Sequence, residues 1–206
     1  MIYGGGGLAL SLGVSQSSPW DLHMANLNYR VVEYDASIEK SPYIHPNISF
    51  HKNFVSSFTK DEFISLEDVI KENKLNENTK NILQIDIENA EWDILENLDL
   101  SLFERYFPQV IFEFHGCNPE EFEGAKKRFK ILERLNKHYK VIHTHFNNHG
   151  KIWYSKGYFF STTIEVSYLR NEEASKLGVK ELRKNGIIKG LDFPTFVANP
   201  ELPIRF

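Results

Sequence analysis

The chain has 206 residues, 41% hydrophobic and 25% charged, which is enough for one domain with a full core and short for two. Its net charge of −4 disfavours a nucleic-acid partner gripped through phosphates, and the single cysteine, Cys117, excludes an internal disulfide and a Cys-rich zinc site. No apolar run approaches the ~18 residues that span a bilayer, and the start "MIYGGGGLALSLGV" lacks the basic segment of a signal peptide, so a cytoplasmic protein is the expectation.

In chain order, the glycines of "MIYGGGG" maximise backbone freedom and predict a loosely held start. Leu8 to Val14 reads as a strand. Ser18 as N-cap, Pro19 at the first helical position and Asp21 in the first turn then open a helix. Tyr29 to Asp35 and Ile48 to Val55 read as two more strands, and Ser65 with Asp68 approximates a capping box before a short helix. An apolar strand over 82–87 hands over to a helix from about Ala90 to Leu98. Gln109 to Gly116 is the next strand, and the longest helix follows, with Phe122, Phe129, Leu132 and Leu135 at helical spacing. Lys140 to Asn148 and 161–170 close the regular part. Tyr154, Tyr158, Phe159 and Phe160 between them read as core or hairpin packing rather than as a platform for an acceptor sugar. The tail from Asn171 is polar and then irregular. The organisation expected is one domain over residues 1–170 with residues 171–206 packed on it.

Alternating strands and helices imply an α/β fold: a Rossmann-like, doubly wound, mostly parallel sheet of about six or seven strands with helices on both faces. Ligands of such sheets bind outside the carboxyl ends of the strands. Those ends carry the polar residues here: Asp35, then Asp86 and Glu88, then Glu113 and His115, then His143, His145 and Asn147. Members of each set stand two apart and share a face of an extended chain.

No phosphate-binding G-x-x-x-x-G-K-[ST] is present, and the turn after the first strand, "LGVSQSSPWD", holds one glycine, Gly13, instead of G-x-G-x-x-G. Such a turn suits a ligand without phosphates, and Asp35 offers acceptors for the two hydroxyls of a ribose. An adenosine ligand without phosphate points to S-adenosylmethionine. Asp86 follows a run of apolar positions, where a lone acid is costly unless solvated or paired. Glu88 and Glu91 support either an acceptor or a helix N-terminus.

"LQIDIENAEWDILENL" resembles the "KIDVEGAEWEVL" signature of the FkbM-like methyltransferases, a class I family dependent on S-adenosylmethionine. "SLGVSQSSPWDLHMA", "VVEYDAS", "HPNISFHK", "VIFEFHG" and "HTHFNN" resemble further blocks of that family in the right order, over roughly residues 8 to 170. Two departures stand out. Asn89 occupies the place where the family has glycine, and the chain starts almost at the first strand, where relatives carry a capping segment, as a shortened form would. The resemblance implies methyl transfer to a hydroxyl of a sugar or other small molecule, as in surface-glycan or natural-product precursors. A non-catalytic cofactor-binding partner subunit and a metal-dependent hydrolase are the rival readings. The cofactor-binding residues expected are Gly13, Asp21, Asp35 and Asp86. The catalytic set is Asp86 with His115 or His145 as base, and Glu88, Glu91, Glu113 and Asn147 would hold the acceptor. No dedicated metal site is assigned, although a divalent metal and a homo-oligomer both stay open, and neither nucleic acid nor a membrane span is expected.

Overall fold

The computed structural model describes residues 6–180 and 185–205, so the expectation for the first five residues lies outside it. Among the described residues the elements run β1 (Leu8–Leu12), α1 (Pro19–Asn26), β2 (Arg30–Tyr34), β3 (Ile48–His51), β4 (Phe54–Ser56), β5 (Phe63–Ser65), α2 (Leu66–Glu72), β6 (Ile82–Ile85), α3 (Ala90–Asn97), α4 (Leu100–Tyr106), β7 (Gln109–Phe114), α5 (Phe122–Leu135), β8 (Tyr139–Phe146), β9 (Ile152–Ser155), β10 (Tyr158–Ser161), β11 (Ile164–Arg170) and α6 (Asn171–Lys176). Seven strands form a sheet in the order β3-β2-β1-β6-β7-β11-β8. Strands β1, β2, β3 and β6 pair in parallel, whereas β11 runs antiparallel to β8. The sheet is therefore mixed and doubly wound, the class I methyltransferase fold that the resemblance implies. The chain divides into two compact units, one up to Ile111 and one from Phe112.

In the first unit, β1 is buried at all five positions, as a central parallel strand must be. Helix α1 covers it through Met24 and Ala25, which pack with Ala9, Tyr29, Val31 and Ile82. Ser65 caps α2 by accepting from the Asp68 amide at 3.1 Å, as the capping-box reading expects. The single strand expected over Ile48 to Val55 is broken into β3 and β4, and β4 pairs with β5 instead of joining the main sheet. The glycine-rich start is not loose throughout. The Gly7 carbonyl accepts from the Arg30 amide at 3.1 Å, and a Cβ on Gly7 would stand 2.4 Å from the Lys80 carbonyl oxygen.

The second unit has an aromatic centre. Phe112 and Phe114 stack at 4.8 Å, and the edge of Tyr168 meets Phe112 at 6.0 Å and Tyr139 at 6.5 Å. Its helix α5 buries Ile131 and Leu135, but Phe122 and Phe129 are 74% and 66% exposed. The helix stands where helical spacing predicts it, with two of the four spaced residues in solvent. Residues Leu202 and Ile204 of the tail pack on Phe146 of β8. The Asn148 side chain pins the tail, donating to the Phe196 and Asn199 carbonyls at 3.0 and 3.1 Å. No helix among the described residues is long and apolar enough to cross a membrane.

Candidate cofactor and acceptor sites

The carboxyl ends of β1, β2 and β6 converge on one cavity of about 460 Å³ in the first unit. Gly13 closes β1. Its φ is +81°, its amide donates to the Tyr34 carbonyl at 3.0 Å, and a Cβ there would stand 1.7 Å from the Asp86 carbonyl oxygen. Only glycine fits, because both the left-handed backbone and the approach of the next strand exclude a side chain. On the other side the Asp86 amide donates to the Leu12 carbonyl at 2.8 Å, so the ends of β1 and β6 are held as a pair.

Asp35 follows β2. Its Oδ2 accepts from the Val14 and Ser15 amides, both at 2.8 Å, and its Oδ1 accepts from the Ser37 amide at 2.7 Å. Burial pushes this carboxyl up, but the bonds from Ser15, Ser37 and Val14 outweigh it and hold the pKa below the ordinary value. Asp35 is thus an ionised clamp on the turn after β1. The three amides, with the Ser37 hydroxyl beside them, occupy most of the carboxylate's lone-pair directions.

The β6–α3 turn carries Asp86 and Glu88 on the cavity wall. Glu88 and Asn89 both have positive φ, +52° and +81°. This accounts for the departure from glycine, since asparagine is among the non-glycine residues that enter the left-handed region at least cost. The rest of the lining includes Phe54, Val55, Phe63 and Ile87, with Ser15, Ser37 and Ser56. An adenosine bearing a sulfonium fits this donor set. Rings and aliphatic groups suit a base, and the carboxylates of Asp35, Asp86 and Glu88 suit ribose hydroxyls and positive charge. Ser15, Ser37, Phe54 and Phe63 carry no motif that announces them. Only the "DAS" of residues 35–37 was a usable signal, because an aspartate commonly accepts from the amide two residues on.

Two residues expected at the cofactor or acceptor are absent from this wall. Asp21, in the first turn of α1, is fully buried, and so is Glu91 in the first turn of α3. Neither offers a surface to a ligand. Asp21 instead meets Glu33, which lies on β2 opposite Ser11 of β1. Burial raises both carboxyls, Glu33 to about 7, and the charge of Asp21 adds to the effect at Glu33. Glu33 and Ser11 sit one step below Asp35 and Gly13 on the same face, so this acid pair underlies the turn between β1 and α1.

The second unit holds a polar group of its own. Glu113 on β7 faces His115 two residues on, with the His115 Nε2 3.3 Å from its Oε1. Asn147, just beyond β8, donates from Nδ2 to the same oxygen at 3.0 Å and accepts from the His149 amide at 2.8 Å. His145 goes elsewhere. Its two ring nitrogens lie 3.0 Å from Glu165 and 3.0 Å from Glu201. The bond to Glu165 overcomes the opposing effect of burial and, with Glu201, raises its pKa to about 9. Held between the two carboxylates, this imidazole ties the tail to β8 and β11.

A model of the methyltransferase FkbM domain matches residues 20–152, well over half of the chain. The chain belongs to the FkbM methyltransferase family. As an FkbM domain it is a methyltransferase enzyme whose cofactor is S-adenosylmethionine, which sets the hydrolase reading aside. Among solved structures it is similar to a candidate rRNA methylase of Clostridium thermocellum, at 10% identity and TM-score 0.45, covering 80% of this chain and 86% of that one. It is also similar to a candidate methyltransferase of Streptococcus mutans in complex with S-adenosylhomocysteine, at 9% identity and TM-score 0.40, over 80% and 89% of the two chains. A third likeness is to the N-methyltransferase NodS of Bradyrhizobium japonicum with the same ligand, at 10% identity and TM-score 0.39, over 80% and 78%. No curated protein sequence gives a significant match.

Proposed function

We propose that this FkbM domain methylates a hydroxyl oxygen of a sugar or another small molecule, with His115 as the general base. The observation that carries the reading is the Glu113–His115–Asn147 group. S-adenosylmethionine supplies a methyl group made electrophilic by the sulfonium. The protein must align the acceptor and take its proton. A hydroxyl loses that proton during attack, and the His115 imidazole receives it. Glu113 beside Nε2 stabilises the imidazolium that results, and Asn147 fixes the Glu113 carboxylate. In the cofactor cavity, Asp35 takes a ribose hydroxyl and Asp86 stands toward the reacting end, with Glu88 on the same wall.

The test is transfer of labelled methyl to a panel of sugars, other alcohols and amines, with the product's methyl position read by NMR. An O-methyl product, formed at least about tenfold more slowly by His115→Gln, supports the reading. An N-methyl product, or undiminished turnover in that variant, refutes it.

A further inference from the structure

We propose that the β9–β10 hairpin docks the protein on an anionic lipid surface. The hairpin is a two-stranded ribbon of its own, separate from the main sheet, with Phe159 paired to Tyr154 and Phe160 paired to Trp153. Paired residues share a face: Tyr154 and Phe159, 4.9 Å apart, project together from one, whereas on the other Trp153 is half-buried and Phe160 lies 6.3 Å from the buried Phe146. Ile152, Tyr154, Tyr158, Phe159 and Phe160 are all exposed, Tyr154 by 67%. An isolated ribbon of this length is marginal in water, and a surface monomers rarely leave bare marks an interaction site.

Charge selects the partner. The chain has 28 acidic residues, yet residues 134–164 contain none. Within that stretch Lys151 lies 3.9 Å over the Trp153 ring, and Lys156 sits at the hairpin tip, where it and Gly157 have φ of +51° and +85°. Aromatic and aliphatic side chains beside lysines, without a carboxylate, are the composition that settles at the headgroup level of anionic bilayers. One exposed aromatic face flanked by two lysines fits the boundary between the headgroups and the acyl chains. The hairpin base adjoins the acceptor group. The Cys117 amide donates to the Thr162 carbonyl at 2.8 Å, and the Ser161 hydroxyl donates to the Asn147 carbonyl at 2.6 Å.

The full chain is floated with vesicles of phosphatidylcholine alone and with vesicles containing one part phosphatidylglycerol to two parts phosphatidylcholine. Binding to the mixed vesicles only, weakened about tenfold or more by Lys151→Glu with Lys156→Glu, supports the proposal. Tyr154→Ser with Phe159→Ser should abolish binding while the circular dichroism and melting temperature of each variant stay unchanged. No flotation, equal flotation with both vesicle types, or variants that float like the parent overturn it. So does retention of a single-stranded RNA or a soluble oligosaccharide that the lysine variant releases, if vesicles are not bound.

Discussion

The acid pair under the turn between β1 and α1 makes folding stability depend on pH. Glu33 is fully buried, and its pKa stands at about 7 against an ordinary 4.5. The groups facing it are the Asp21 carboxyl on α1 and the Ser41 hydroxyl, with Ser11 beside it on β1. No basic group enters that set. Between pH 4.5 and 7 the folded protein keeps a proton that the unfolded chain has lost, so folding stability falls as the pH rises through this window and levels off above it. At ~1.4 kcal/mol per pH unit the loss is about 3 kcal/mol. For a chain of this size that corresponds to about 6–12 °C in melting temperature. Glu33→Gln keeps the size of the side chain and cannot ionise. It should leave stability near the parent's at pH 5 and exceed it by up to about 3 kcal/mol at pH 8. Urea unfolding of both proteins from pH 4.5 to 9 measures the difference. Parallel stability profiles would refute the reasoning, because Glu33 would then titrate alike in the folded and unfolded chains.

Gly13→Ala should destabilise by about 2 kcal/mol or more, since it adds a left-handed penalty of roughly 1–2 kcal/mol to a collision with the Asp86 carbonyl; chemical denaturation and cofactor titration both read it. Asp35→Ala should weaken S-adenosylmethionine binding by roughly 1–3 kcal/mol and also lower stability, because the Val14, Ser15 and Ser37 amides lose their acceptor. Calorimetry with thermal melts checks both arms. His145→Gln should remove a stability contribution that is full below pH 6.5 and fades as the pH rises through about 9, seen as faster amide exchange in residues 199–204 at pH 7 and little difference at pH 10. Asp86→Asn should slow turnover at least about tenfold, ~1.4 kcal/mol in the barrier. Repeating that assay with a chelator and with added magnesium tests the divalent metal that the sequence left open, and full activity with chelator removes it.

Much of the site's framework was legible in order along the chain. Hydrophobic runs ending in polar residues placed Gly13, Asp35, Asp86 and Glu113 at strand ends, because a parallel sheet buries its strands and presents their carboxyl ends to ligands. The two-residue spacing of Glu113 and His115 put them on one face, and the structure holds them 3.3 Å apart. What the sequence could not decide depended on which faces meet. Asp21 and Glu91 look like any first-turn acids, yet tertiary packing buries both. Glu33 carries no distinguishing signal inside its strand, because nothing local shows that the helix covering it brings a second carboxyl. His115 and His145 have the same local signature. Their difference comes from Glu165 on β11 and Glu201 in the tail, 20 and 56 residues away from His145. Periodicity fixes which residues share a face of an element. Whether that face meets solvent, core or another charge is set by chain segments far off in sequence, and this is why Phe122 and Phe129 stand in water on a helix whose spacing suggested a buried stripe.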